Sequence, residues 1–285
     1  MQQTWFITGS SRGFSRALVR AALEAGDTVA ATARRPEALA DLVAEYGDRV
    51  RPIALDVTDP DAVRAALAEA REAFGRVDVI VNNAGYANVA PIETADDADV
   101  REQFETNFWG VYHVSKAAIP LLRAQGGGLV IQFSSVGGRV GGSPGIASYQ
   151  AAKFAIDGFS RVLRAETAPF GVKVLVVEPS GFRTDWAGSS MTVHDVPEAY
   201  ASTVGAAVRD PATFPGDPER AAAILVRVAK RDDVPEHLPL GAVASAMSVA
   251  QDERLLASDR RWAAVSASAD VDQPFPVELP DDVVG

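Results

Sequence analysis

Short apolar runs alternate with longer helical patterns along most of this chain, and this alternation limits the fold more than any other feature. Strands separated by helices are typical of a parallel sheet covered on both faces, and right-handed crossovers make such a sheet doubly wound. We therefore predict an α/β fold built on one doubly wound parallel sheet. Its strands are expected at residues 5–8, 28–33, 51–55, 77–81, 128–133, 172–177 and 237–241.

The length of 285 residues suits a single large domain, which we place at residues 1–265. Between residues 187 and 215 the helical pattern weakens among glycines, serines and prolines, which predicts a lid over the substrate. An ordinary surface excursion is the alternative. Residues 266–285 are acidic and rich in proline toward their end, so we predict a C-terminal tail.

Composition excludes several classes of protein. Apolar residues make up 47% of the chain and charged residues 23%, as in soluble globular proteins, and no apolar run is long enough to cross a bilayer. The net charge of −11 argues against nucleic acid as a partner. With no cysteine and three scattered histidines, we predict neither disulfides nor a metal site. The first residues lack a basic segment, so we expect a cytoplasmic protein.

The segment TGSSRGFS, residues 8–15, follows the first predicted strand and opens a helix. A glycine-rich turn in this position binds pyrophosphate through backbone amides and the helix N-terminus. A plain strand-to-helix turn is the alternative reading of the same residues. The context favours a dinucleotide site.

Two tyrosine–lysine pairs stand at helical spacing, Tyr149 with Lys153 and Tyr112 with Lys116, in a chain that has only four lysines. An ammonium favours phenolate over phenol, and so lowers the pKa of the hydroxyl from about 10 toward the range useful in general acid catalysis. Spacing alone cannot rank the two pairs.

Position in the predicted sheet does rank them. The strand at residues 128–133 ends at Ser134 and Ser135, and the glycine-rich loop after it leads to the helix of Tyr149. Ligands of open α/β sheets bind at this carboxyl edge. Tyr112 has no strand-end serine before it at comparable spacing, so we assign its pair to helix packing.

In these motifs the chain resembles the short-chain dehydrogenase/reductase family, whose sheet is of the Rossmann type. The resemblance implies that Lys153 holds the nicotinamide ribose and that Asn107 positions a water relaying protons to Lys153. Ser134 is a rival to Ser135 for the serine position. The implied catalytic tetrad is Asn107, Ser135, Tyr149 and Lys153.

The same resemblance outlines a cofactor site. The sequences DV at 56–57, NNAG at 82–85 and EPSGFRT at 178–184 match family motifs at the adenine, the cofactor cleft and the nicotinamide. Two positions depart from the family, because Ser15 and Ser180 stand where glycine is usual. The implied cofactor-binding residues are Gly9, Ser11, Arg12, Gly13, Phe14, Arg34, Asp56, Val57, Asn83, Ala84, Gly85, Tyr149, Lys153, Pro179, Gly181 and Thr184.

The choice of cofactor can be argued from charge. An acidic residue at the end of the second strand would bind the adenosine ribose and repel a 2′-phosphate, but Ala33 stands there. Arg34 and Arg35 follow, and Arg12 lies in the glycine loop, so their guanidinium groups could converge on a phosphate. Solvated surface charge is the alternative role for these arginines. We predict NADP(H).

We therefore expect an NADP(H)-dependent enzyme that interconverts a carbonyl and a secondary alcohol by hydride transfer, with Tyr149 as proton donor or acceptor. A nucleotide-binding regulator of the same fold without turnover is the alternative. The resemblance implies a dimer or tetramer. An apolar small-molecule substrate is suggested by aromatic and apolar residues that could equally be core or subunit contacts: Tyr86, Val89, Phe182, Trp186, Met191, Tyr200 and Phe214.

Overall fold

The computed structural model describes residues 2–184, 191–207 and 213–281. A seven-stranded sheet, parallel throughout, forms its centre and confirms the predicted α/β, doubly wound architecture. The strand order is β3-β2-β1-β4-β6-β7-β9. The strands of this sheet are β1 (Thr4–Ile7), β2 (Thr28–Ala33), β3 (Val50–Ala54), β4 (Val79–Asn82), β6 (Gly128–Phe133), β7 (Val172–Pro179) and β9 (His237–Leu240).

Each predicted strand of this sheet is present to within two residues at either end. A second sheet was not predicted: β5 (Ala87–Val89) pairs in parallel with β8 (Met191–Val193), which lies in the segment predicted to be a lid. The two strands are three residues long, too short for their alternation to be read from sequence. Residues 187–190 and 208–212 of the predicted lid lie outside the described residues.

Helices cover both faces of the central sheet, and local signals set several of their ends. The Asp59 carboxylate accepts the N–H groups of Asp61 and Ala62 before Pro60, and Gly75 ends the same helix in a left-handed conformation. The helices are α1 (Gly13–Glu24), α2 (Ala40–Tyr46), α3 (Pro60–Phe74), α4 (Asp97–Phe104), α5 (Gly110–Ala124), α6 (Ala147–Thr167), α7 (Pro218–Ala229) and α8 (Ala242–Ala267).

Two apolar cores lie on opposite faces of the sheet, because successive side chains of a strand point to opposite sides. In β1, Trp5 and Ile7 join one core with α1 and α7, whereas Phe6 joins the other with α3 and α5. All three side chains are fully buried. This explains why the strands have near-continuous apolar sequences.

The C-terminal helix α8 continues past residue 265 to Ala267, so the predicted tail begins inside it. Only its first half packs on the domain, where Ala244 and Ser248 are buried. No helix among the described residues is long and apolar enough to cross a membrane.

Candidate active site

The loops after β1 and β4 meet where the strand order of the sheet reverses. Thr8 joins them, since its Oγ1 accepts the backbone N–H groups of Asn83 at 3.0 Å and Ala84 at 3.1 Å. Gly9 adopts φ 70°, and a Cβ on it would lie 3.0 Å from the Cα of Ala84. A reversal of strand order is the usual ligand crevice of open α/β sheets. The structuring role of Thr8 was not predicted, because it depends on a contact with a loop 75 residues away.

The N-terminus of α1 is open to an anion. Arg12 occupies the cap position without a side-chain hydrogen bond to the first turn, and no acidic residue lies in that turn. Gly13, at φ 61°, brings the backbone into the crevice without a side chain. Free N–H groups and the helix dipole together suit a pyrophosphate, so the residues present fit a dinucleotide.

Ser15, which replaces the usual third glycine, is buried and accommodated by a hydrogen bond. Its Oγ donates to the carbonyl of Gly9 at 2.5 Å, and lies 3.3 Å from the carbonyl of Arg12. The Ser15 hydroxyl therefore links the start of α1 to the glycine loop before it through the carbonyl of Gly9. Phe14 completes the packing here, with its ring 4.9 Å from Phe133 and 5.3 Å from Phe182.

At the end of the crevice beside β2, the strand finishes at Ala33, which is 4% exposed, and not at a carboxylate. Arg12, Arg34 and Arg35 are exposed beside it. The positive charge of Arg34 lowers the pKa of Tyr86, although burial dominates and raises that pKa to about 12.

Two other residues of this end have partners in the chain. The carboxylate of Asp56 accepts the N–H and hydroxyl of Thr58, and Val57 packs so closely on Gly110 that a Cβ there would lie 2.5 Å from it.

The structure distinguishes the two strand-end serines. Ser134 is buried, and its Oγ donates to the carbonyl of Lys153 at 3.0 Å. Ser135 instead accepts the N–H of Gly137 at 3.0 Å, and its hydroxyl interacts with Tyr149 and lowers the pKa of that phenol. Since the Gly137 N–H occupies an acceptor position on Ser135, the serine O–H is available to donate toward Tyr149.

Tyr149 and Lys153 are both buried, on the same face of α6. The Lys153 Nζ donates to the carbonyl of Phe133 at 2.7 Å and lies 5.5 Å from the centre of the Tyr149 ring. Burial raises the pKa of Tyr149 to about 12, and the hydrogen bond with Ser135 acts in the opposite direction. Burial also lowers the pKa of Lys153 to about 8.

The expected lowering of the Tyr149 pKa by the ammonium is therefore wrong for the chain alone. Desolvation disfavours the charged form of each group, and for Tyr149 it outweighs the opposing effect of Ser135.

Asn107 lies in a π-helical turn, Glu105–Trp109, between α4 and α5. Its side-chain amide forms two hydrogen bonds with the backbone of Tyr86: Oδ1 accepts the N–H at 3.0 Å, and Nδ2 donates to the carbonyl at 2.8 Å. A Cβ on Gly85 would lie 2.5 Å from the same Oδ1. Asn107 thus fixes the loop after β4 with one donor and one acceptor of its side-chain amide.

This loop, crevice and tyrosine–lysine arrangement can be compared with known proteins. Residues 3–193 match the family model described as short chain dehydrogenase. The chain belongs to the short-chain dehydrogenase family. Oxidoreductase BOA17 of Botryotinia fuckeliana (strain B05.10) is 47% identical over 274 residues, covering 94% of this chain and 100% of that protein.

Two solved structures of short-chain dehydrogenases are similar over nearly the whole length. The enzyme from Streptomyces avermitilis has a TM-score of 0.88 at 39% identity, covering 94% of this chain and 98% of that one. The enzyme from Burkholderia cenocepacia J2315, solved in complex with NADP, has a TM-score of 0.71 at 26% identity, covering 96% and 100%. The chain is an oxidoreductase of this family.

In this short-chain dehydrogenase the segment after β7 reaches the glycine loop. A Cβ on Gly13 would lie 3.7 Å from the Cβ of Thr184. Gly181 lies against the ring of Phe214, where a Cβ would come within 2.6 Å, so glycine is needed one position later than in the family. Ser180, at the usual glycine position, donates its N–H to Leu240 at 3.1 Å and keeps the segment on β9.

The rival pair lies elsewhere. Tyr112 is half-buried in α5, where its ring meets those of Trp109, His113 and Phe159. Lys116 is exposed, with its Nζ 5.5 Å from the ring centre. The distance from the lysine Nζ to the tyrosine ring centre is therefore the same in both pairs, and only the burial and neighbours of the pairs differ.

Several candidates for the substrate pocket have structural partners. Phe182 packs on Phe14, Phe214 on Gly181, and Val89 on Gly145. Tyr200 donates its hydroxyl to Glu93. Met191 and Tyr86 remain half-buried near the crevice, and Trp186 lies outside the described residues.

One cluster has the composition of a metal site, which sequence spacing did not show. Ligand atoms of Asp157, Glu178 and His237 lie within 4.8 Å of one another. They already have partners, because His237 contacts Asp157 at 2.5 Å and Glu178 contacts Arg139 at 3.1 Å. We therefore interpret the cluster as a buried ionic network.

Proposed function

We propose that this protein is an NADP(H)-dependent oxidoreductase that interconverts a carbonyl and a secondary alcohol, with Tyr149 as proton donor or acceptor. The observation that carries the proposal is that Tyr149 and Lys153 lie buried side by side on α6, with Ser135 at the carboxyl edge of β6 acting on the same phenol. Holding a dinucleotide needs no such proton donor. This favours turnover over the alternative, a nucleotide-binding regulator without catalysis.

Each side chain has a role that follows from its position. Tyr149 gives a proton to the carbonyl oxygen during reduction, and Ser135 donates a hydrogen bond that orients the same oxygen. Lys153 supplies positive charge beside the phenol and holds the nicotinamide ribose. The chemistry that the cofactor supplies when bound is hydride transfer to or from the substrate carbon.

Asn107 contributes by fixing the loop after β4, and the water relay assigned to it by resemblance stays part of the proposal. The N-terminus of α1 with Gly9, Ser11 and Gly13 holds the pyrophosphate, and Asp56 with Val57 contacts the adenine. The cleft is completed by Phe14, Asn83, Ala84, Gly85, Pro179, Gly181 and Thr184.

The preference for NADP(H) rests on three exposed arginines and on the lack of a carboxylate at the end of β2. Arg12, Arg34 and Arg35 can surround a 2′-phosphate with charge-assisted hydrogen bonds. Arg16 nearby is already committed, because its guanidinium contacts Asp41 at 2.5 Å. The NADP of the Burkholderia relative is compatible with this choice but belongs to that protein.

A single pair of variants tests the function. Purified protein is offered NADPH with a panel of ketones, aldehydes and quinones, and oxidation is followed by loss of the nicotinamide absorbance. We expect Tyr149→Phe to abolish turnover and leave NADPH binding intact. Tyr112→Phe, which removes the same hydroxyl from the rival pair, should retain turnover. Loss of turnover in Tyr112→Phe alone, or no turnover by the wild type, would refute the assignment.

The polarity of the substrate, the oligomeric state and the cellular location of the protein are further parts of the proposal. We infer an apolar substrate held beneath the segment at 187–215, and a homodimer or homotetramer formed through the aromatic face of exposed Trp109 and half-buried Tyr112. Light scattering of Trp109→Glu should then show smaller particles than wild type. A cytoplasmic location completes the proposal, and cell fractionation tests it.

A further inference from the structure

Arg139 joins three parts of the molecule at one guanidinium group. It belongs to the loop after Ser135, and its Nη1 lies 3.1 Å from the Glu178 carboxylate at the end of β7. Its Nη2 and Nε lie 2.5 Å and 3.4 Å from Asp252 of α8. The three residues are far apart in sequence, and Arg139 and Asp252 are separated by 113 positions.

The contact with Glu178 is the strong one. Glu178 is 1% exposed, and a buried carboxylate without a partner is strongly destabilising. Glu178 also directly precedes Pro179, where the segment proposed to line the nicotinamide begins. Arg139 therefore ties the serine loop to the base of that segment.

The loop is rigid enough to transmit this attachment to Ser135. Its backbone forms one continuous turn, with Gly138 N–H donating to Ser135 O at 2.8 Å and Val140 N–H to Val136 O at 2.9 Å. Gly137, inside the turn, donates the hydrogen bond that orients the Ser135 hydroxyl. A shift of Arg139 would move that donor.

We propose that Arg139 is a positioning residue for the reaction, acting through Ser135, and that Asp252 brings α8 into the same function. This inference rests on the proposed function. It gives the C-terminal helix a role in catalysis, since its first half is anchored by buried Ala244 and Ser248 and so offers Asp252 as a fixed partner.

A double-mutant cycle tests the inference. Steady-state constants are measured for wild type, Arg139→Gln, Ser135→Ala and the double variant, with NADPH and the best ketone of the panel. We expect Arg139→Gln to lower kcat by about 10- to 100-fold, as displacement of a reacting group does. In the Ser135→Ala background the same change should cost less than about twofold, because Arg139 has nothing left to position.

Further variants separate this role from mere folding. Asp252→Asn leaves Glu178 paired and should still lower kcat, again only when Ser135 is present. Arg161→Gln is the matched control, since Arg161 contacts Asp157 of the same ionic network but lies on α6; its kcat should stay within about twofold. NADPH affinity, followed by fluorescence titration, should be unchanged in all five variants.

The outcomes are distinguishable. An active wild type whose Arg139 and Ser135 losses multiply in the double variant would overturn this inference alone. So would a loss of kcat in Arg161→Gln equal to that in Asp252→Asn. A wild type without turnover would overturn the proposed function and this inference together.

Discussion

The hydroxyl of Ser135 accepts the backbone N–H of Gly137 at 3.0 Å, in a turn that begins at Ser135 itself. A serine whose oxygen already accepts a hydrogen bond has its proton free to donate, so the turn orients the hydroxyl before any ligand arrives. Ser134, one residue earlier, spends its proton on the carbonyl of Lys153. Two adjacent serines thus have opposite tasks.

The first prediction separates these tasks. Ser135→Ala should lower kcat by about 100-fold, as loss of one donor to a reacting oxygen does, with little change in unfolding free energy. Ser134→Ala should lower the unfolding free energy by about 1 kcal/mol and leave kcat within about threefold. Steady-state kinetics and urea unfolding check both. The assignment fails if the two variants show the reverse pattern.

The second prediction concerns the cofactor. Arg34→Asp combined with Arg12→Ser should reverse the preference from NADPH to NADH, because the carboxylate repels a 2′-phosphate and two donors are lost. The ratio of kcat/KM for the two cofactors should fall by at least about 100-fold. Arg51→Ser removes an exposed arginine of β3, which pairs with Glu69 of α3, and should leave the ratio unchanged. A double variant that still prefers NADPH would contradict the role of these arginines.

The third prediction concerns Ser15. Its 2.5 Å hydrogen bond to Gly9 preorganises the phosphate loop, so Ser15→Ala should weaken NADPH binding by a few fold and lower the unfolding free energy by about 1 kcal/mol. Fluorescence titration and urea unfolding measure the two effects. Ser15→Gly, which restores the family residue, adds backbone freedom and should not bind more tightly than wild type. Tighter binding by Ser15→Gly would show that the hydroxyl only obstructs the loop.

The fourth prediction concerns pH. Burial lowers the pKa of Lys153 from 10.5 to about 8, so between these values the unfolded chain binds the extra proton. Below about pH 8, burial of this charged lysine therefore lowers the free energy of unfolding by its full amount. The penalty disappears as the pH rises toward 10.5. Burial raises the pKa of Tyr149 from 10 to about 12. The free energy of unfolding therefore falls as the pH rises from 10 to about 12, because the unfolded chain releases this proton first.

Urea unfolding of the cofactor-free protein checks these signs. Relative to Lys153→Met, the wild type should gain roughly 2 kcal/mol in unfolding free energy between pH 7.5 and 10. A difference between wild type and Lys153→Met that does not change with pH would mean that burial does not shift the pKa of this lysine.

Much of the fold could be predicted from local patterns in the sequence. The strands of the main sheet were predicted because fully buried parallel strands have near-continuous apolar runs, and an aspartate followed by a proline marks the first turn of both α3 and α7. The β5–β8 sheet and the extent of α8 were not. Strands of three residues carry no readable period, and α8 exposes apolar side chains such as Val249 and Leu256 where amphipathic patterning would place polar ones.

Local sequence patterns were enough to predict the doubly wound sheet, the glycine loop before α1, an alanine at the end of β2, and two equally spaced tyrosine–lysine pairs. These properties depend on neighbours within a few residues. Tertiary contacts were needed to show that Ser135 rather than Ser134 acts on Tyr149, that burial shifts the pKa of Lys153, and that Arg139 bridges Glu178 and Asp252. Each of these findings depends on contacts between positions distant in the sequence or on exclusion of water, and neither leaves a mark in local sequence.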